Sequence, residues 1–278
     1  MRTIAVPSRI IAMSYELAPE VSEYYERGGE VSRLTTTPDG RLEFLRTQDI
    51  LRRLLGPSPS TILDIGGATG AHAAWLTADG HQVTLVDPVA SQVAVASANG
   101  IQGQVGDARD LPFGNGLFDA ALLLGPLYHL LTEADRLRAL EEAIRVVRPG
   151  GQVVAAAIGR FAPWLDKASK TRLSNDNDEP MLAEAHRTGR LRPRTYGSSG
   201  FTTAYVHRPE QLHNECTTAG LADVTVYAVE GAAWLMDSLG GQLDDPVATT
   251  KLLEGLRVIE REPSMLGASA HLLAVGRT

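Results

Sequence analysis

Cysteine occurs once in 278 residues, at Cys216, so the chain can build neither an internal disulfide nor a thiolate zinc site. That scarcity suits a reducing cytoplasm, and Cys216, between Leu212 and Leu221 in a helical stretch, reads as a packing residue. Basic residues are not in excess: 26 Lys and Arg stand against 33 Asp and Glu, a net charge of −7. A nucleic-acid partner is disfavoured on that count, because a phosphate backbone calls for a basic face. The local exception, Arg187, Arg190, Arg192 and Arg194, follows the acids Asp176, Asp178, Glu179 and Glu184 and reads as a solvated loop. No apolar run approaches the roughly 18 residues of a membrane span. The apolar run beside Arg2 and Arg9 is too short for a signal peptide. Repeats and low-complexity tracts are missing too. What remains is an ordinary composition, 44% apolar and 21% charged, long enough for one large α/β domain with or without a cap.

The chain is organised around Thr61-Ile62-Leu63-Asp64-Ile65-Gly66-Gly67-Ala68-Thr69-Gly70. A short β-branched run closes on an acid, a glycine-rich turn follows, and Ala71 to Ala78 reads as a helix. Glycines there let a ligand lie against bare main chain, and the following helix offers unpaired N–H groups. Ahead of this unit, residues 20–29 read as a short helix carrying Tyr24 and Tyr25, and Gly40 to Leu55 as a second helix stopped by Gly56-Pro57. After it come strands at Gln82–Val86, Ile101–Val105, Phe118–Leu124 and Gln152–Ile158. Helices at Val89–Ala98 and Glu133–Val147 join them. Strands linked by helices of this length imply a parallel sheet with helices on both faces. The rhythm then breaks over 159–200. It resumes with a strand at Phe201–Val206, a helix at Pro209–Ala219 and strands at Ala222–Val229 and Ala268–Gly276. The expected division is an N-terminal helical cap (1–56), a cofactor-binding core (57–158), a lid insertion (159–200), and a core completion (201–278) with a helical insertion at 231–262.

Which nucleotide the loop holds is ambiguous by pattern alone. Gly66-x-Ala68-x-x-Ala71, with Asp87 ending the second strand, fits a degenerate dinucleotide fingerprint. Asp64-x-Gly66-x-Ala68-x-Gly70 fits the S-adenosylmethionine form instead. A third acid, in Gly106-Asp107-Ala108-Arg109-Asp110-Leu111-Pro112-Phe113 after the third strand, tips the balance towards the second. On these motifs, with Phe118-Asp119 through Leu130 and Val147–Gly151, the chain resembles a class I S-adenosylmethionine-dependent methyltransferase of the small-molecule group.

The resemblance implies a seven-stranded, mostly parallel Rossmann-like sheet with an antiparallel last strand. It implies that Asp64, Gly66, Gly67, Ala68 and Gly70 serve the methionine portion, Asp87 and Pro88 the ribose, and Asp107 with Ala108 the adenine. Leu124 and Gly125 would lie under the sulfonium, and Tyr24 and Arg33 would close over the cofactor. Catalytic candidates are His129, directly after the fourth strand, then Tyr25 and His207; each also has a structural reading, His129 and His207 as turn or junction residues. Tyr25, Tyr128, His129, Trp164, Tyr196 and Trp234 are candidates to line an acceptor pocket. No Asp/Glu/His trio stands out as a magnesium site at the end of the fourth strand, so no metal is expected. The N-terminal Tyr24-Tyr25 segment and the carboxyl-terminal half are similar to bacterial natural-product methyltransferases, among them enzymes that methylate carbon 3 of an indole. The expected protein is a cytoplasmic monomer or homodimer acting on a small aromatic or heterocyclic molecule. An NAD(P)-dependent oxidoreductase and a non-catalytic cofactor-binding relative are the rivals.

Overall fold

The computed structural model describes residues 32–170, 178–192 and 202–278. The helix expected at 20–29, with Tyr24 and Tyr25, and the candidate Tyr196 lie outside the described residues.

A single helical turn, α1 (Arg33–Thr36), leads into α2 (Pro38–Leu55). The entry to α2 is set by Thr37, whose hydroxyl accepts the Gly40 N–H, and by Pro38 in the first turn; Gly56, at φ 72°, closes it. Then the alternation runs β1 (Thr61–Ile65), α3 (Ala71–Ala78), β2 (Gln82–Asp87), α4 (Ala90–Ala98), β3 (Gln102–Val105) and β4 (Phe118–Leu123). A 3-10 turn (Pro126–His129), α5 (Glu133–Val146) and the long β5 (Val147–Gly159) follow. The second half comprises α6 (Ala162–Ser169), α7 (Glu179–Thr188), β6 (Arg190–Leu191), β7 (Ala204–His207), α8 (Pro209–Thr218) and β8 (Ala222–Ala228). It ends with α9 (Leu239–Asp244), α10 (Pro246–Ile259), α11 (Pro263–Leu266) and β9 (His271–Arg277).

Strands β3, β2, β1, β4 and β5 pair in that order and all in parallel. β9 runs antiparallel along β5, and β8 antiparallel to β9, which completes the expected seven-stranded Rossmann-like sheet. Two short strands were not foreseen as a unit. β7 pairs in parallel with the last residues of β5, Ile158 and Gly159, and β6 pairs with β7. The expected strand at Phe201–Val206 is therefore displaced to Ala204–His207, and β5 begins at Val147, inside what reads as a helix stop.

Period-two alternation sorts the side chains between the two faces. On one face Leu63, Ile65, Ala121, Leu123, Val153 and Ala155 pack under α5 and α8. On the other, Ile62, Leu85, Leu122 and Val154 meet Ile50 and Leu51 of α2, Ala73 and Leu76 of α3, and Ala96 of α4. The N-terminal helix is thus part of the core. Fully buried Arg46 ties it down, donating to the Val229 carbonyl (2.9 Å) and to Glu260 (2.7 Å). A smaller cluster, Leu42, Ala233, Leu239, Leu243 and Leu256, joins α2 to the helices of 239–259.

Candidate active site

The carboxyl ends of β1, β2, β3 and β4 open into one cavity of about 1300 Å³, its mouth included. Asp64, Asp87 and Asp107 all line it, as do Gly66, Gly67, Ala68, Pro88, Ala108, Leu124 and Gly125. Gly70 lies behind the loop and caps α3 with φ 84°.

The loop needs its small residues. A methyl on Gly67 would come within 2.6 Å of Leu85 Cδ1 and 2.7 Å of Asp64 Oδ2, and one on Gly66 within 2.9 Å of Pro126. Gly66 sits at φ 70° and Ala68 at φ 49°, so Ala68 holds a left-handed conformation that alanine disfavours. Its compensation is local: the Ala68 N–H donates to Asp87 Oδ2 at 2.9 Å.

Each acid has a different environment. Asp64 is buried, its Oδ2 meets no donor among the described residues, and loss of hydration with the nearby Asp87 charge lifts its pKa to about 7. Asp87 is also buried and shifted up by desolvation, but both oxygens accept backbone N–H groups, from Ala68 and from Val89 (2.8 Å). Asp107 is clasped by Arg109, through the backbone N–H and Nε at Oδ1 and Nη2 at Oδ2 (2.8 Å). Arg109 is a partner that sequence reasoning missed.

Beyond β4 the lining changes. His129 and Tyr128 stand at the cavity with their rings edge to face, 4.6 Å apart. Burial holds the His129 pKa down at about 4, against a hydrogen bond to the Thr203 backbone that works the other way. Its ring is neutral at physiological pH. Arg33, Glu43, His72 and Gln92 complete the polar lining. Of these only Arg33 was anticipated; Glu43 lies in an amphipathic helix where nothing separates it from a solvated acid.

Three candidates are not brought to the cavity. His207 is fully buried, its Nε2 3.1 Å from Glu215 Oε2, in a network where Arg136 pairs with Glu215 at 2.7 Å and stacks over Tyr205. That is a structural junction of α5, α8 and β7, so the catalytic expectation for His207 is corrected. Trp164 is 53% exposed on α6. Trp234 donates its Nε1–H to the Ala268 carbonyl (3.0 Å) and packs against the α2–α10 cluster. Neither tryptophan lines an acceptor space.

An αβ sheet with acids at the carboxyl ends of three adjacent parallel strands and a glycine loop after the first of them defines a nucleoside-cofactor core of the class I transferase kind. Residues 63–155 match the sequence model of a family described as a methyltransferase domain. The chain is 32% identical over 146 residues to an O-methyltransferase of Penicillium expansum, covering 49% of this chain and 52% of that protein. It is 37% identical over 108 residues to a ubiquinone/menaquinone biosynthesis C-methyltransferase of Rubrivivax gelatinosus (37% and 41% covered). A probable tRNA methyltransferase 9B of Bos taurus is 38% identical over 96 residues (34% and 20%). The chain thus spans about half or less of the length of these relatives. Among solved structures, a methyltransferase of Archaeoglobus fulgidus superposes with TM-score 0.55 at 16% identity, covering 92% of this chain and all of that one. One of Thermotoga maritima, a possible histamine N-methyltransferase, gives 0.56 at 16% identity, with 93% and 98% covered. These show the fold.

Residues 63–155 are thus a methyltransferase domain, set in a fold shared with S-adenosylmethionine-dependent methyltransferases. S-adenosylmethionine is the cofactor, and the residues present fit it. Asp64, which lines the cavity with an oxygen that meets no donor among the described residues, can receive a cationic group, and the loop beside it carries no side chain larger than a methyl at residues 66–68.

Proposed function

We propose that the protein transfers a methyl group from S-adenosylmethionine to a small aromatic or heterocyclic acceptor, with His129 as the residue that receives or orients the acceptor proton. When bound, the cofactor supplies an electrophilic methyl on a sulfonium, whose departure as a neutral thioether needs no acid. The chain's own task is therefore to place the acceptor atom in line, roughly 3 Å from the methyl carbon. The carrying observation is His129: a neutral imidazole, partly buried, lining the same cavity as the three acids and next to Gly125. With its pKa near 4, it is too weak a base to ionise a phenol in advance. It fits a late role instead, accepting the proton as the new bond to oxygen, nitrogen or an indole carbon makes that proton acidic.

Within this reading Asp87 holds the ribose hydroxyls with lone pairs its backbone bonds leave over, and Asp107 with the Ala108 N–H reads adenine. Asp64 faces the amino-acid end, and Arg33 closes over it. O-methyltransferases of Penicillium expansum and Aspergillus sclerotiorum and a ubiquinone/menaquinone biosynthesis C-methyltransferase among the relatives support small acceptors. The match to a probable tRNA methyltransferase covers 34% of this chain and 20% of that protein, and a net charge of −7 disfavours a tRNA acceptor. A cytoplasmic setting agrees with the buried free thiol of Cys216, and no helix among the described residues is long and apolar enough to cross a membrane.

The test is turnover. Incubation with S-adenosylmethionine and a panel of phenols, quinols and indoles should release S-adenosylhomocysteine with at least one acceptor class. Release only with tRNA would overturn the small-molecule assignment.

A further inference from the structure

Four ionisable side chains from distant parts of the chain meet behind the cavity. Glu230 is buried after β8, where its Oε2 accepts the Ser269 hydroxyl and the His271 backbone N–H, both at 2.9 Å. Its Oε1 lies 2.6 Å from His271 Nδ1. The same nitrogen is 3.6 Å from Glu43 Oε2, and Glu43 holds Arg33 with both oxygens, at 2.6 and 3.2 Å. Glu43 and Arg33 line the cavity; His271 and Glu230 do not.

We infer that Glu43 and His271 are positioning residues for Arg33: the chain Glu230–His271–Glu43–Arg33, alternating in charge, fixes the guanidinium where it takes the carboxylate at the donor's amino-acid end. The inference rests on the cofactor reading above and adds to it two residues with no place in the loop motif. Two observations carry it. First, Arg33 belongs to a four-residue helix that fully buries none of its residues, and both oxygens of Glu43 accept from its guanidinium. Close approach at Gly40, where a Cβ would lie 2.3 Å from the Arg33 carbonyl oxygen, sets only the backbone. Second, the location is right. Glu43 and Arg33 both act on the charge of His72, which follows the loop's last glycine by two residues. Asp107, at the adenine end, follows β3, the strand at the far edge of the sheet. Burial works against charge on His271, yet the two flanking carboxylates outweigh it and raise its pKa to about 9, which keeps the alternation intact at neutral pH.

The test compares two ligands that differ only at that end. S-adenosylhomocysteine carries the amino acid; methylthioadenosine keeps the nucleoside and thioether without it. Calorimetry on the full chain should show Glu43→Gln and His271→Gln each weakening S-adenosylhomocysteine about tenfold, with methylthioadenosine affinity kept within about twofold. A ratio of the two affinities equal to that of the parent, whether both stay or both fall, would overturn the relay. Should a core variant fail to fold, Arg33→Met, on a helix that fully buries none of its residues, serves instead. It must show the same selective loss, and adding Glu43→Gln to it must cost nothing further; an additive loss overturns the relay. If the parent bound neither ligand, the cofactor reading itself would fall, an outcome distinct from an unchanged ratio.

Discussion

The two ends of the cavity are built by different means. The donor end is main chain: a glycine loop held by carboxylates that close successive strands, with Asp87 fastening Ala68 and Val89 through their N–H groups. The end proposed for the acceptor is side chain: His129 and Tyr128 on a 3-10 turn, backed by β7 where it pairs on the end of β5. Main chain placed by strand register tolerates little change, whereas side chains on a turn can be exchanged without disturbing the sheet. On the proposed function, the donor end is thus the fixed part of the cavity and the acceptor end the adjustable part.

The strongest way to break this contrast is Gly67→Val. Its Cβ would enter the space of Leu85 and Asp64, so binding of S-adenosylhomocysteine, followed by calorimetry, should be lost; retention of parental affinity would show a softer loop. Next is Asp87→Ala, expected to weaken the cofactor by about 1.5–3 kcal/mol, ten- to hundredfold. His129→Phe sharpens the contrast from the other side. Turnover should fall about a hundredfold while cofactor affinity stays put, and an active variant would remove His129 from the chemistry.

Titration separates the ends as well. The folded pKa of Asp64 is raised to about 7, so its contribution to stability is present at acid pH and lost as pH rises through 7. Asp64→Asn should therefore flatten that part of the melting profile without cofactor. His271, raised to about 9 by Glu43 and Glu230 with Arg33 opposing, contributes below pH 6.5 and loses it as pH rises through 9. The smallest effect is Ala68→Gly. Releasing a left-handed alanine should add about 1 kcal/mol and raise the melting temperature by about 2 °C.

Legibility in the sequence follows the same division. The strand-ending acids and the loop were readable because a buried parallel strand is an unbroken apolar run, and the residue that ends it must face the rim. The β6–β7 pair was not, since strands of two and four residues carry no period to detect. The start of β5 was hidden by Pro149-Gly150-Gly151, which ends a helix locally while tertiary pairing with Phe118 makes it strand. Glu43 and His271 were illegible for a different reason. Each is unremarkable in its own element, and only the contact of α2 with the start of β9 makes them partners. His207, Trp164 and Trp234 misled because a residue type suited to catalysis or stacking is equally suited to a buried junction or a helix surface.

The most direct measurement is titration of the parent and Asp87→Ala proteins with S-adenosylhomocysteine under one set of conditions. One equivalent bound per parent chain, with at least a tenfold loss in the variant, is the result expected. No binding to the parent, or equal affinity in both, would contradict the placement of the donor along the three acids.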